Sequence, residues 1–178
     1  MGSVTYEKSP RRIYCLRVIT MQLKRTWKTY AVWILLSEAV GALSDFPTRN
    51  GAEQYSAAIT KPPLSPPAMV FPVVWGILFA LMGIGAARIY LSHASAARSR
   101  ALAVFFLQLG FNFFWSIIFF NLQRFGFALL WLLVLWGLIL WMIAAFATVD
   151  RPAAWLQVPY LLWVSFAAYL NLGVWLLN

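Results

Sequence analysis

The chain is 178 residues long, 62% hydrophobic and only 11% charged, with a formal charge of +9. Soluble domains carry about 25% charged residues, so this composition excludes a chain with a water-covered surface, and the mean hydropathy of +0.75 agrees. The length allows several spans of about 20 residues joined by short loops. These quantities define an all-α, polytopic membrane protein.

The basic residues are unevenly placed. Lys8, Arg11, Arg12, Arg17, Lys24, Arg25 and Lys28 all precede or open the first apolar stretch. A basic segment beside a membrane helix sets topology or touches anionic lipid, so nucleic acid is not expected as a partner. Residues 1–26 read as a basic amino-terminal extension and 27–178 as the membrane domain. The single cysteine, Cys15, allows no disulfide, and the single histidine, His93, falls in an expected loop. No group of His, Cys and carboxylates has metal-ligand spacing and no Ser-His-Asp set lies near a span. The sequence therefore offers no metal site, no catalytic residue and no required cofactor.

In chain order, five spans are expected, at about 27–45, 67–91, 101–121, 125–149 and 153–177. Glu38 lies inside the first. An ionisable group at mid-span is a functional position by default, unless the span is shifted and Glu38 lies near an interface; both readings stay open. A long polar connection, Phe46 to Pro66, leads into the second span through KPPLSPPAMVFPVVW, Lys61 to Trp75. Its prolines preset φ near −65° and donate no backbone hydrogen bond, so a stiff strap over the mouth of the bundle is expected, with Pro67 in the first helical turn and Pro72 bending the helix that carries Trp75. Tight turns at Gln123–Arg124 and at 150–152 make the neighbouring spans antiparallel. With five spans, the amino tail and the loops holding Arg88, Arg98, Arg100 and Arg151 share one side, against Arg49, Lys61 and Arg124 on the other. The positive-inside rule then places the amino terminus in the cytoplasm and the carboxyl end outside.

Within the spans, polar and aromatic residues fall on single helical faces. The third span aligns Gln108, Asn112 and Trp115; the fifth aligns Tyr160, Trp163, Ala167 and Asn171; the second carries Pro72, Trp75, Phe79, Met82 and Gly83 on one stripe. Such faces either pack helix on helix through a few hydrogen bonds or line an aromatic pocket with a few orienting polar groups. Of the ten tryptophans, Trp27, Trp33, Trp155 and Trp175 lie near span ends and suit interfacial belts, whereas Trp75, Trp115, Trp131, Trp136, Trp141 and Trp163 lie deeper.

Taken in order, KPPLSPPAMVFPVVW, MGIGAARIY, QLGFNFFWSIIFF and PYLLWVSFAAYLNLGVWLLN make the stretch from about Gly41 onward closely resemble the TspO/translocator protein family, also called tryptophan-rich sensory proteins or peripheral-type benzodiazepine receptors. The resemblance implies a five-helix membrane bundle, often a homodimer, that binds tetrapyrroles such as protoporphyrin IX and haem, and in some members sterols or benzodiazepine-type ligands. By motif, it places ligand-binding positions at Trp75, Asn112, Trp115, Trp163, Ala167 and Asn171, and a capping loop at Lys61, Pro62, Pro66 and Pro67. The helical stripes add Phe79, Gln108 and Tyr160. The family's Trp-Tyr pair before the Lys-Pro step is here Tyr55 and Ser56, and no Lys or Arg follows Arg151, so a sterol motif at this end is not supported. The functions implied are tetrapyrrole sensing or transport in a lipid bilayer, favouring a bacterial cell membrane over an organellar outer membrane. The alternatives are a sterol transporter, or an enzyme degrading porphyrin in light through a tryptophan.

Overall fold

The computed structural model describes the backbone of residues 10–178, with side chains from residue 26 onward except residue 56. The basic extension read at 1–26 therefore lies almost wholly outside the described side chains. The described chain forms α1 (Pro10–Ala58), α2 (Val70–Leu91), α3 (Ala96–Ser116), α4 (Phe125–Ala147), α5 (Arg151–Trp155) and α6 (Val158–Leu177).

Four helical segments are long and apolar enough to cross a membrane: Val70–Leu91, Ala96–Asn121, Phe125–Ala147 and Arg151–Leu177. Each reaches the length of about 20 residues that spans a hydrocarbon core. Beside them α1 completes a five-helix bundle; its stretch 27–45 is the less apolar because it holds Glu38 and Asp45. Around the bundle α1 packs along α2 and against α3, α3 along α4, and α4 along α6, while α5 touches α2 and α4. The approach of α1 to α2 depends on Gly83: a Cβ there would stand 2.5 Å from the Cα of Ile34. Between α2 and α6 the ring is closed by side chains, Phe71 against Trp163 and Trp75 against Tyr160.

Several boundaries differ from the sequence expectation, each for a local reason. The connection after the first span is half helical, because α1 runs on through Pro47 to Ala58. Proline removes one intrahelical hydrogen bond and crowds the preceding turn. Here the next helix over holds that stretch in place: Asn121 Nδ2 donates to the Pro47 carbonyl at 3.0 Å and Ser44 Oγ to the Phe113 carbonyl at 3.2 Å. Thr48 Oγ1 folds back on the Ser44 carbonyl at 3.0 Å. The strap is thereby shortened to residues 59–69.

Pro67 lies before α2, not in its first turn; its carbonyl accepts from Val70 N at 2.9 Å. Pro72 is the third residue of α2, where a helical N–H has no intrahelical partner in any case. Ser95 starts α3 five residues early, its hydroxyl accepting from Arg98 N at 3.2 Å, as an N-cap serine does. The same helix ends in a widened π turn, Ile117–Asn121, closed by Leu122 N to the Ile117 carbonyl at 3.1 Å. Gln123, at φ 50°, then reverses the chain into α4. The fifth span is two helices, because Pro159 near the start of α6 cannot carry the hydrogen bond that would join it to α5. Gln157 fills that break and is fully buried, its Nε2 donating to the Ala153 carbonyl at 3.2 Å and towards the Leu81 carbonyl of α2 at 3.5 Å.

Trp33 packs inside the bundle rather than on its outer surface. It is 9% exposed and packs on Tyr90, Phe105 and Phe106, whereas Trp27, Trp155 and Trp175 are exposed. Trp131 and Trp136 tie α4 to its neighbours, donating to the Phe111 carbonyl at 2.8 Å and to Ser165 Oγ at 2.9 Å. Trp141 faces outward.

Candidate functional site

The three faces read from spacing converge between α2, α3 and α6. A directed chain of hydrogen bonds links them. Asn112 Nδ2 donates to Tyr160 Oη at 2.8 Å, Tyr160 Oη donates to Gln108 Oε1 at 3.0 Å, and Gln108 Nε2 points at Met82 Sδ at 3.9 Å. All four residues are buried. In a medium without water a polar side chain needs such a partner, and successive bonds in a chain polarise and strengthen one another.

Aromatic rings stand over this polar thread. Trp75 lies 5.5 Å from Phe79 and 6.1 Å, edge on, from Tyr160, while Trp163 meets Phe71 edge on at 5.8 Å. Trp115 stacks on Phe119 at 5.2 Å, at the junction with a second aromatic cluster around the π turn. The indole N–H groups of Trp115 and Trp163 are both buried without an acceptor. A buried donor left unmade costs about 1–3 kcal/mol, so these two, each packed against the main core, stand out. Ala167 is buried on the same face of α6 as Tyr160.

Asn171, expected to point at a ligand, is committed elsewhere. With its amide oriented to satisfy both atoms, it donates to the Phe125 carbonyl at 2.9 Å and accepts from Leu129 N at 3.2 Å. It therefore bonds α6 to the first turn of α4. Glu38 is half-exposed and takes no part in the hydrogen bonds of the cluster.

The strap, residues 59–69, lies along the carboxyl-terminal half of α6. Tyr55, ahead of it, packs on Phe119, Phe120 and Phe125, and burial there pushes its phenol pKa up. Lys61 Nζ lies 5.8 Å from the centre of the Tyr55 ring, a cation–π distance. Ser56, read with Tyr55 as a departure from the family pattern, has its side chain outside the described residues. Pro62 is buried, Pro66 half-buried and Pro67 exposed. Sequence reasoning missed Phe71, Tyr169 and Asn178 here: Tyr169 Oη donates to the Pro63 carbonyl at 3.1 Å, and Asn178 binds Thr60. Only Phe71 carried a signal, since it lies one turn from Trp75.

Two clefts lie elsewhere: one of about 510 Å³ bounded by Gln123–Phe127, Trp175 and Asn178, and one of about 280 Å³ bounded by Tyr30, Arg88, Leu91, Ser92, Val149 and Asp150. The second is spanned by an ion pair, Arg88 Nε to Asp150 Oδ2 at 2.6 Å and Nη2 to Oδ1 at 3.2 Å. The contacts between α2 and α6 at the aromatic cluster are ring on ring, Phe71 with Trp163 and Trp75 with Tyr160.

Fold and interior define an integral membrane helical bundle with an aromatic core threaded by a few amides and a phenol. The profile of the TspO/MBR family matches residues 33–176, and the chain belongs to that family. It is 38% identical over 156 residues to the tryptophan-rich protein TspO of Chlorobaculum tepidum, covering 84% of this chain and 96% of that one. It is 32% identical over 151 residues to the translocator protein of Bos taurus, covering 84% and 89%. Against the tryptophan-rich sensory protein of Cereibacter sphaeroides it is 33% identical over 153 residues, covering 84% and 92%.

Proposed function

We propose that the protein binds a flat, apolar, anionic tetrapyrrole, protoporphyrin IX or haem, between α2, α3 and α6, in a sensing or transport role. The observation that carries this reading is the pair of buried, unpartnered indole N–H groups of Trp115 and Trp163 within an aromatic interior. A ligand carboxylate or ring nitrogen would satisfy what the protein leaves unsatisfied. Trp75, Trp163 and Phe71 offer stacking area, and such aromatic contacts contribute about 0.5–1.5 kcal/mol beyond burial. The sensory and translocator names of the relatives agree with either role.

The test is a fluorescence-quenching titration of the purified protein with protoporphyrin IX. Trp163→Ala should weaken binding by roughly tenfold, the scale of one lost aromatic contact. Ala167→Leu should do the same by filling space the ring needs. Trp141→Phe, on the outward face of α4, should leave affinity unchanged. Wild-type affinity in both site variants would overturn the assignment.

A further inference from the structure

We propose that Asn178 is the latch of the proline strap, holding it shut across one end of the bundle, and that releasing this latch opens the way to the aromatic interior. The inference deepens the ligand reading above, but its geometry is independent of it. The Asn178 amide pairs with Thr60 in both directions, as a neighbouring strand would. Thr60 N donates to Asn178 Oδ1 at 3.0 Å, and Asn178 Nδ2 donates to the Thr60 carbonyl at 3.1 Å. The same Nδ2 also donates to the Val174 carbonyl at 2.9 Å, which fixes the amide to the last turn of α6.

Around this point α6 is shaped to receive the strap. A Cβ on Gly173 would lie 2.5 Å from Pro62 Cβ, so Pro62 seats directly on the helix backbone. One turn below, Tyr169 Oη reaches the Pro63 carbonyl. The strap has little holding it from within. Its four prolines donate nothing, and its internal turn rests on Ser65, whose N and Oγ lie 3.3 and 2.7 Å from the Pro62 carbonyl. That turn places Leu64 at φ 66°, the left-handed region that suits glycine at the third position of a proline-led turn. A stiff segment with few bonds of its own moves as a unit and is governed by its outside anchors. The pairing of Thr60 with Asn178 is exposed, as is the Tyr169 bond to Pro63, so water competes for both, and the Asn178 amide is the one that binds the strap backbone in two directions.

Two readouts test the latch without any ligand, in a Cys15→Ser background. The first is hydrogen–deuterium exchange of residues 59–66. The second is the rate at which a small maleimide labels the thiol introduced by Ala167→Cys, at a buried position of α6 two residues before Tyr169, which bonds the strap. With Asn178→Ala, which removes both bonds to Thr60, both should rise by at least about tenfold, the factor that one hydrogen bond of ordinary net strength controls. Asn178→Asp keeps the acceptor for Thr60 N and loses the donor, so it should fall between; Asn178→Gln should restore most of the protection. If Asn178→Ala does not fold, the Asn178→Asp variant decides alone. Unchanged exchange overturns the latch, and faster exchange with unchanged labelling overturns the strap as the route inward. Failure of protoporphyrin IX to bind the wild-type protein would remove the ligand reading and leave these two results standing.

Discussion

The hydroxyl of Tyr160 holds two buried amides at once, accepting from Asn112 and donating to Gln108. Removing it orphans both on α3. Interhelical hydrogen bonds in membrane proteins contribute about 0.6 kcal/mol on average, and a stranded buried amide adds desolvation cost. Tyr160→Phe should therefore destabilise the bundle by about 1–2 kcal/mol in reversible detergent unfolding. Replacing Asn112 by Leu in the Tyr160→Phe background should then cost less than it does in the wild type, because the shared bond is already gone. Additive losses would show that the thread carries no joint energy. Spacing places Gln108 and Asn112 on one face, and Tyr160 on a face of another helix; nothing in it says that these two faces meet. Asn171 illustrates the same limit: it shares the face of Tyr160 and Ala167, yet its amide serves α4.

At the level of elements, the apolar runs were legible and their ends were not. The start of α4 at Phe125 and the end of α2 at Leu91 follow directly from the sequence. By contrast, α1 continues through Pro47 because α3 and its π turn bind the far side, and α6 separates from α5 where Pro159 and Gln157 meet α2. These outcomes depend on neighbours distant in sequence. The packing of α1 on α2 makes a direct prediction. Gly83→Ala places a methyl against the α1 backbone, which cannot yield as a flexible side chain would. Overpacking of this kind costs about 1–3 kcal/mol. Thermal unfolding should show that loss, whereas Gly137→Ala, where a Cβ meets nothing within 4 Å, should be neutral or slightly stabilising, since alanine is the better helix former.

For the whole molecule, the five-helix arrangement sets the two ends apart. The loop at 92–95 and the turn at 148–150 lie at one end, and the strap, the 122–124 turn and Asn178 at the other. If α1 crosses the membrane despite Glu38 and Asp45, cysteines introduced by Ser3→Cys and His93→Cys in a Cys15→Ser background should be labelled from the cytoplasmic side by an impermeant maleimide, and Gln123→Cys from the opposite side. Labelling of Ser3→Cys together with Gln123→Cys would mean that α1 lies on the membrane without crossing it. The Glu38 carboxylate makes this the informative span, because a charge at mid-bilayer is costly unless it finds water or a partner.

By itself the sequence determined the membrane character, the all-helical class, the rough place of the four long apolar helices, the proline-rich connection, the family, and most of the residues that gather at the interior. It could do so because hydropathy, helical periodicity and proline chemistry are local properties, carried by residues within a turn or two of one another. Only the tertiary structure decided which faces meet, that Asn112, Tyr160, Gln108 and Met82 form one thread, that Trp115 and Trp163 bury indoles without partners, and that Asn178 closes on Thr60 across 118 residues. Those are pairings between groups far apart along the chain, and a lone asparagine after a helix carries no sign of the backbone it will bind.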